Sequence, residues 1–286
     1  MKKLIAIDMD GTLFNSSGKI SEGNLMAIRE AQEAGHIVML CSGRPHDVLL
    51  DFMKDEYDVV LPVAGSNGSC SYTEGQTIHS VSMDKTLAGQ LFQMLLEDNH
   101  PFRVYTNQGV FTIDGFLDRF RNDLSQCGEE DAGGLTVERY AEYLKSSKSV
   151  DIGRFEDISL KEGLEIYKFF VSTLIPEKKS HLENRLNSFE GPFGFTSSAH
   201  NNVEIMSEQG HKGTGLSEMA RYYNIPMKDT IAIGDNFNDI PMLEAAGLSI
   251  AMGNAEPQIK ELCHRVTRTN DEDGVAYAIR QYVLNG

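Results

Sequence analysis

This chain lacks long apolar runs, closely spaced cysteines and an excess of positive charge, and each absence excludes a class of protein. No stretch approaches the roughly 20 consecutive apolar residues that a membrane-spanning helix needs. The cysteines have no Cys-x-x-Cys spacing, so neither a zinc site nor a disulfide framework is indicated. We expect reduced, mostly buried thiols at Cys41, Cys70, Cys127 and Cys263.

Positive charge is scarce, because 26 lysines and arginines stand against 42 aspartates and glutamates and give a net charge of -16. Nucleic-acid backbones and anionic membranes are bound through basic faces, so we expect neither as a partner. The start Met1-Lys2-Lys3 leads directly into an apolar run and not into a signal peptide, and we therefore expect a cytoplasmic protein. The sequence leaves the choice between a monomer and a homodimer open.

Asp8 and Asp10 follow the apolar run of residues 4–7 and are the most informative residues of the chain. Carboxylates two residues apart on an extended segment point to the same side, so a strand that ends here places both in one metal and nucleophile site. Gly11 can take a positive φ and lets backbone N–H groups approach an anion, and Thr12 adds a hydroxyl donor. The segment therefore indicates phosphate chemistry. The alternative is that both acids are ordinary capping or turn residues.

Residues 8–13, Asp-Met-Asp-Gly-Thr-Leu, resemble the first motif of the haloacid dehalogenase-like (HAD) hydrolases, which reads Asp-x-Asp-Gly-Thr-Leu. In that family the first aspartate is the nucleophile and the second is the general acid and base. The resemblance assigns these roles to Asp8 and Asp10.

A second apolar run, residues 36–41, predicts a buried strand and ends in Ser42-Gly43-Arg44-Pro45, which resembles the second motif of the family. The resemblance implies that Ser42 donates its hydroxyl to the phosphoryl oxygens, and backbone N–H groups near Gly43 can add to this anion site. Ser42 can also cap the helix that begins with Pro45, and the two roles are compatible because a helix N-terminus itself binds anions. Arg44 either supplies positive charge to the site or is solvated, as most loop arginines are.

Lys212 opens a predicted helix in Gly210-His211-Lys212-Gly213 and matches the third motif of the family. The resemblance implies that its ammonium neutralises charge on the nucleophile and on the phosphoryl group. A P-loop is excluded, because Walker A needs Gly-Lys-Ser/Thr and His211 separates Gly210 from Lys212. Outside this context, an ordinary surface lysine would be the alternative interpretation.

The apolar, β-branched run of residues 230–233 leads into Gly-Asp-Asn-Phe-Asn-Asp at residues 234–239, which is similar to the last motif of the family. The similarity implies that Asp235 is a further metal carboxylate. It also implies that Asn238 contacts the phosphate or a metal-bound water, and that Asp239 is an outer metal ligand. Asp239 is equally expected to cap the helix that follows.

The acidic net charge would repel phosphate esters, so the site must contain its own positive charge. The sequence offers a divalent ion, Lys212 and Arg44 for this purpose. From the resemblance we expect Mg²⁺ bound by Asp8, by the backbone carbonyl of Asp10 and by Asp235, because hard oxygen ligands favour Mg²⁺ over zinc.

The motifs predict the fold, because each lies near an apolar β-run and open α/β sheets bind ligands at the carboxyl ends of their strands. We predict an α/β core domain with a Rossmann-like, doubly wound parallel sheet, built from residues 1–82 and 200–286. A third strand is expected over residues 59–63. The pair Asn67-Gly68 after it is a hairpin signal, although in the related hydrolases this loop also borders the substrate entrance.

Too much chain separates Ser42 from Lys212 for a simple crossover, and residues 83–199 contain helical and β patterns of their own. We predict an inserted α/β cap domain over this range. Such a cap resembles the Cof-type branch of the family, subfamily IIB with its C2B-type cap, whose members are mostly phosphatases of sugar phosphates and other small metabolites. Four polar candidates for contacts to the leaving group, each also interpretable as solvated surface, are Arg103, Tyr105, Lys168 and His200.

Aspartate at position 10 selects among the chemistries of the family, since the related ATPases carry threonine there and the dehalogenases lack an acid at that place. The large predicted cap favours a phosphatase over a phosphomutase. We therefore predict a Mg²⁺-dependent phosphatase that hydrolyses small phosphorylated metabolites, sugar phosphates foremost, through an aspartyl-phosphate. A phosphomutase and a non-catalytic sensor of phosphorylated metabolites are the alternatives.

Overall fold

The computed structural model describes residues 2–127, 136–146 and 149–285. Within these residues the chain forms two compact units. The first unit contains the chain up to Ser80 and from Gly210 onwards, and the second unit contains Val81–Gln209. Each unit has its own sheet and its own apolar core.

The strands and helices are numbered in chain order. The strands are β1 (Leu4–Ile7), β2 (Ile37–Cys41), β3 (Val63–Gly65), β4 (Cys70–Thr73), β5 (Gln76–Ser80), β6 (Phe102–Thr106), β7 (Gly109–Ile113), β8 (Val150–Ile152), β9 (Ile166–Ser172), β10 (Phe193–Thr196), β11 (Asn202–Ser207), β12 (Thr230–Gly234), β13 (Leu248–Ala251) and β14 (Arg265–Val266). The helices are α1 (Glu22–Glu33), α2 (His46–Tyr57), α3 (Lys85–Glu97), α4 (Phe116–Leu124), α5 (Val137–Ser146), α6 (Glu156–Ser159), α7 (Pro176–Asn187), α8 (Lys212–Tyr222), α9 (Ile240–Ala245), α10 (Pro257–Leu262) and α11 (Gly274–Ile279). None of these described helices is both long enough and apolar enough to cross a membrane.

Within the described ranges, the first unit is built on an eight-stranded sheet with the order β14-β13-β12-β1-β2-β3-β4-β5. The strands from β14 to β3 run parallel, whereas β4 and β5 are antiparallel additions at one edge. Ile7 of β1 lies beside Leu40 of β2 and Ile233 of β12. Because these strands are parallel and in register, the loops that follow them leave the sheet at one edge, where α/β sheets bind their ligands.

The central strand β1 is completely buried, with all residues of Leu4–Ile7 inaccessible to solvent. Continuous apolar strands of this kind are typical of parallel sheets that are covered on both faces. Helices α1, α2, α8 and α11 contribute apolar side chains to the same core, among them Ile28, Met53, Leu216 and Ile279. Burial of each such side chain contributes about 1.5–3 kcal/mol, so the core holds the strand ends, and the loops after them, firmly in place.

The second unit has, within the described residues, a six-stranded sheet with the order β10-β11-β9-β6-β7-β8. Neighbouring strands are antiparallel, except for the parallel pair β7 and β8. Alternate residues such as Phe102 and Phe169 join α3 and α7 in an apolar core. The intervening residues include Lys168, whose Nζ lies 2.5 Å from Oε2 of the buried Glu204. The alternative that Lys168 is a solvated surface residue is therefore wrong. The same alternative is wrong for Arg103 and Tyr105, because both are buried.

The predicted fold class, a parallel α/β sheet with a second α/β unit, is confirmed. The third strand is an exception, because β3 begins only at Val63, where the predicted strand was to end. Pro62 has no N–H to donate, and its carbonyl alone is used, accepting from the Leu40 N–H at 3.0 Å. The predicted hairpin at Asn67-Gly68 is confirmed, since β3 and β4 pair antiparallel around the turn Ser66–Gly68.

The second unit extends beyond the predicted cap, to Gln209 and not only to residue 199. The extra residues include β11, which pairs with both β9 and β10 and therefore belongs to the second sheet. At its other end the unit begins at Val81, close to the expected residue 83. The identity of this unit as a cap domain stays a prediction.

Candidate active site

The loop after β1 presents Asp8 and then turns sharply. The chain forms one wide helical turn over Met9–Leu13, and the Phe14 N–H donates to the Met9 carbonyl at 2.8 Å. Gly11 lies in the left-handed region with φ 85°, and a Cβ at this position would collide with the carboxylate of Asp235. Only glycine lets the loop pass this close to Asp235 without strain.

Lys212 connects the loops that follow β1 and β12. It is the first residue of α8, and its side chain is completely buried. Its Nζ lies 2.5 Å from Oδ1 of Asp8 and 2.5 Å from Oδ1 of Asp239. Such charge-assisted contacts are short and strong, and a buried ammonium without them would cost several kcal/mol. The alternative of a surface lysine is therefore wrong for Lys212.

Asp239 uses both of its carboxylate oxygens within the protein. Its Oδ1 accepts from Lys212, while its Oδ2 accepts the backbone N–H groups of Asp235 (2.9 Å) and Asn236 (3.0 Å). The side chain closes a capping box over the turn Phe237–Asp239 and makes no cap hydrogen bond to α9, so the predicted capping role falls on the turn before the helix. Asp239 thereby fixes the loop that carries Asp235 and orients Lys212.

Asp235 accepts the Thr12 hydroxyl at 2.6 Å, and the carboxylates of Asp8, Asp235 and Asp239 lie within 4.8 Å of one another. Burial and the charge of Asp239 raise the pKa of Asp235 to about 7, although Thr12 and Lys212 act in the opposite direction. Burial and Asp239 also raise the pKa of Asp8 well above its usual range, again opposed by Lys212. Burial alone would lower the pKa of Lys212, but the carboxylates of Asp239 and Asp8 outweigh it and raise that pKa.

The carboxylate cluster has oxygen atoms left for a cation. No group of the described residues donates to Oδ2 of Asp8 or to Oδ2 of Asp235, whereas both oxygens of Asp239 are engaged. The carboxylates outnumber the single ammonium, and this excess of negative charge adds to burial, the larger cause, in raising the pKa values of Asp8 and Asp235. Hard anionic oxygens are what Mg²⁺ prefers. The residues therefore fit a divalent cation held by Asp8 and Asp235, with Asp239 outside the direct ligands.

Asp10 is not part of this cluster and is paired with Arg44. Nε and Nη2 of Arg44 approach the two carboxylate oxygens of Asp10 at 3.0 and 2.7 Å. The Asp10 and Arg44 side chains are 59% and 42% exposed, so the pair is open to solvent. The guanidinium also lies over the ring of Phe14, 5.3 Å from its centroid. A direct contact of Arg44 with phosphate stays a prediction.

Ser42, Gly43 and Asn238 lie in loops that meet Asn67. The Asn67 N–H donates to the Ser42 carbonyl at 2.9 Å, and Nδ2 of Asn238 donates to Oδ1 of Asn67 at 3.4 Å. Oγ of Ser42 accepts the Arg44 N–H at 3.3 Å, across the intervening Gly43. The N-cap residue of α2 is Pro45, so the alternative in which Ser42 caps this helix is wrong.

Two residues outside the motifs contact the site loops. Nδ2 of Asn254 donates to the Gly11 carbonyl at 2.8 Å, and Sγ of Cys41 donates to the Lys212 carbonyl at 3.6 Å. Burial raises the pKa of Cys41 to about 12, so its thiol remains a donor. Sequence reasoning missed both, because loop asparagines and buried cysteines are ordinarily turn and core residues.

Comparison with known proteins places this chain in a family. The sequence model of the family of haloacid dehalogenase-like hydrolases matches residues 5–279. Phosphatase YwpJ of Bacillus subtilis is 36% identical over 97% of this chain and 99% of the relative. The 5-amino-6-(5-phospho-D-ribitylamino)uracil phosphatase YwtE of the same organism is 34% identical over 99% of both chains.

Solved structures agree with these relatives. A haloacid dehalogenase-like hydrolase from B. subtilis superimposes with a TM-score of 0.84 at 32% identity, covering 98% of this chain and 100% of that one. A sugar phosphatase of HAD subclass IIB superimposes with a TM-score of 0.78, covering 98% and 99% of the two chains, and its 18% identity shows the shared fold alone.

The parallel sheet with a lysine-linked carboxylate cluster at its carboxyl edge is thus a hydrolase core. The chain belongs to the haloacid dehalogenase-like hydrolases. The predicted membership of the haloacid dehalogenase-like hydrolases, Cof-type, is confirmed, and so is the prediction of a phosphoric monoester hydrolase.

Proposed function

We propose that this enzyme is a Mg²⁺-dependent phosphatase of small phosphorylated metabolites that acts through an aspartyl-phosphate on Asp8. The observation that supports this most directly is the environment of Asp8. One of its oxygens is held by Lys212 at 2.5 Å, and the other receives no donor from the described residues. A carboxylate held in this way is oriented yet keeps a lone pair for attack on phosphorus.

In the first step, Asp8 attacks phosphorus in line, so that a new P–O bond forms while the bond to the leaving oxygen breaks. Asp10 donates a proton to that leaving oxygen. Lys212, whose raised pKa keeps it protonated, offsets negative charge beside Asp8. Backbone N–H groups near Gly11 and Gly43 contact the phosphoryl oxygens in this proposal.

The remaining polar residues of the site orient these groups. The hydroxyl of Ser42 and the amide of Asn238 complete the phosphate site, while the hydroxyl of Thr12 holds Asp235. In the second step, Asp10 takes a proton from a water that attacks the aspartyl-phosphate, which releases phosphate and restores Asp8. The bidentate contact with Arg44 holds the Asp10 carboxylate in one orientation on the solvent-exposed side of the site.

Mg²⁺, when bound, would offset charge on the nucleophile and on the phosphoryl oxygens, which otherwise repel each other. Asp8 and Asp235 fit as its ligands, and we propose the backbone carbonyl of Asp10 as a third ligand. We propose that Asp239 does not bind the metal directly, because its oxygens already accept from Lys212 and from two backbone N–H groups.

The proposed substrates carry phosphate on a polyhydroxylated carbon chain, as sugar phosphates do. The relative YwtE is named for a phosphate ester of a ribityl chain, which belongs to this class. We also propose that the second unit is the cap domain of the family. A cytoplasmic location, a monomer or homodimer, and the absence of nucleic-acid and membrane partners stay predictions from composition and charge.

Turnover of the purified protein tests the reaction and the metal together. We expect hydrolysis of p-nitrophenyl phosphate and of a panel of sugar and ribityl phosphates with Mg²⁺, and loss of activity on chelation. Calcium should inhibit, because its larger and looser coordination shell misplaces the nucleophile. Equal activity with and without chelator would contradict the metal assignment. A phosphomutase would move phosphate between hydroxyls without releasing it, and a sensor would bind without turnover.

The variants Asp8→Asn and Asp10→Asn distinguish the roles of the two acids. Asp8→Asn should form no phosphoenzyme, because an amide oxygen is a poor nucleophile. Asp10→Asn keeps the nucleophile, so with an aryl phosphate it should release about one equivalent of product in a burst and then hydrolyse slowly. Intact-mass measurement after rapid acid quench should detect a phosphate adduct on the Asp10 variant alone. An adduct on the Asp8→Asn protein at another residue would show that the nucleophile is misassigned.

A further inference from the structure

Two asparagines outside the family motifs hold the loop that follows Asp8. Nδ2 of Asn254, three residues after β13, donates to the Gly11 carbonyl at 2.8 Å. Nδ2 of Asn270, four residues after β14, donates to the Phe14 carbonyl, also at 2.8 Å. The two asparagines are linked to each other, because the Asn270 N–H donates to Oδ1 of Asn254 at 3.0 Å. Together they bind both ends of residues 11–14.

The bond to Gly11 acts at the most adaptable point of this loop. Gly11 has φ 85° and, without a Cβ, can adopt many backbone conformations at little cost. A trans peptide is planar, so its carbonyl oxygen and the N–H of the next residue point in opposite directions. A donor fixed on the Gly11 oxygen therefore fixes the whole peptide, and with it the direction of the Thr12 N–H.

The peptide between Gly11 and Thr12 lies between this donor and the carboxylate cluster. On its far side, the Thr12 hydroxyl donates to Oδ1 of Asp235 at 2.6 Å. On the side of the Gly11 carbonyl, the donor Asn254 is an exposed residue whose side chain adds no apolar packing to the core. Its contribution to stability is thus only that of solvent-accessible hydrogen bonds, which is small.

We propose that Asn254 is a positioning residue for the phosphatase reaction and that Asn270 holds Asn254 in place. The inference rests on the proposed function, since it assigns the two asparagines the task of keeping Asp10, Gly11 and Thr12 in register with Asp8. The loop must keep one orientation while charge builds up on the phosphoryl group, and misplacement of reacting groups by about 1 Å can cost on the order of 100-fold in rate.

Asn254→Ala and Asn254→Asp provide the test. The alanine variant removes both hydrogen bonds of the side chain. The aspartate variant keeps the acceptor for the Asn270 N–H and loses only the donor to Gly11, because an ionised carboxylate cannot donate. Asn224→Asp is the matched control, since it adds the same charge at an exposed asparagine just beyond the far end of α8.

We expect both Asn254 variants to lower kcat on p-nitrophenyl phosphate by about tenfold or more, with KM within about twofold and a thermal midpoint close to that of the wild type. The Asn224 control should match the wild type in all three. A lower kcat with an unchanged KM indicates that Asn254 positions the loop, because a merely structural defect would lower the thermal midpoint and the folded fraction. Asn270→Ala should show the same split in kcat to a smaller extent.

Two results would overturn the inference. Wild-type kcat in both Asn254 variants would show that the loop needs no support, and a loss in Asn254→Asp alone would assign the effect to the added charge. These outcomes differ from a failure of the proposed function, in which the wild-type protein itself would release no phosphate.

Discussion

Replacement of Asp239 by asparagine tests the division of labour within the carboxylate cluster. The variant is nearly isosteric, so the packing around residue 239 is kept while the hydrogen bonding and the charge change. Asp239 accepts from Lys212 through one oxygen and from two backbone N–H groups through the other. An asparagine has one oxygen and one NH₂ group, so in either orientation a donor faces a donor.

The magnitude follows from the bonds that are lost. One orientation loses the contact with the buried ammonium, worth about 1.5–3 kcal/mol, and the other loses two backbone bonds of about 0.5–1.5 kcal/mol each. Removing one negative charge beside Asp8 and Asp235 recovers part of this. We expect the free energy of unfolding to fall by about 1–2 kcal/mol without metal, which corresponds to about 2–8 °C in the thermal midpoint.

Asp235→Asn is the matched variant and should behave in the opposite way. Burial and Asp239 raise the pKa of Asp235 to about 7, so its charge opposes folding at and above that pH. Its loss should leave the metal-free protein as stable as the wild type or more so. The same variant should lose most of the stabilisation by Mg²⁺, because a ligand that binds only the folded state stabilises it by RT ln(1 + [L]/Kd), which falls as binding weakens.

The assay is urea unfolding at pH 8, with chelator and with saturating Mg²⁺, for the wild type and both variants. The reasoning predicts that Asp239→Asn has a lower baseline and still gains stability with Mg²⁺, and that Asp235→Asn has a high baseline and gains little. If Asp239→Asn kept its metal-free stability and lost the gain with Mg²⁺, Asp239 would be a direct ligand and its assignment to Lys212 and the loop would be wrong.

Two further predictions concern the separate units. His100 is completely buried in the second unit, and neither of its ring nitrogens has a hydrogen-bond partner among the described residues; burial, helped by Lys178, lowers its pKa to about 4. The fold therefore favours the neutral ring, so the free energy of unfolding has its full value above about pH 6.5 and falls by about 3 kcal/mol by pH 4. Urea unfolding of the wild type at several pH values should show this loss. His100→Leu should remove it. All the proposed catalytic and metal residues lie in the first unit. Excision of residues 81–209, bridged by a short linker, should therefore leave a folded core that still hydrolyses an aryl phosphate. A folded core without any turnover would show that the second unit supplies part of the chemistry.

Much of the site could be predicted from sequence because its residues follow apolar runs directly. Asp8 and Asp235 each come one residue after a buried parallel strand, so the strand pattern alone fixed the edge at which they meet. Lys212 could be placed at a helix start, but its burial between two carboxylates depends on how α8 packs, which no local pattern encodes. The roles of these residues stay predictions until the variants are measured.

The parts that could not be predicted depend on contacts between distant loops. Asn254 and Asn270 bind backbone carbonyls, and a carbonyl leaves no trace in the sequence of its partner. The sequence leaves open whether Arg44 serves the phosphate site or is solvated, and its contact with Asp10 depends on distances between two loops that no local pattern encodes. The residues 59–62 have the composition of a strand, but Pro62 lacks the N–H that a ladder needs.

The order of β1 and β12 in the first sheet has a consequence for synthesis of the chain. β1 has β2 on one side, but its other neighbour begins only at Thr230. At about 5–20 residues per second, a ribosome needs on the order of 10–40 s between these two strands. The second unit is continuous in sequence and can fold within that interval, whereas the buried, apolar edge of β1 has no neighbour yet. An open edge of this kind templates pairing with other chains, so a nascent or truncated chain that ends before β12 is the aggregation-prone form of this protein.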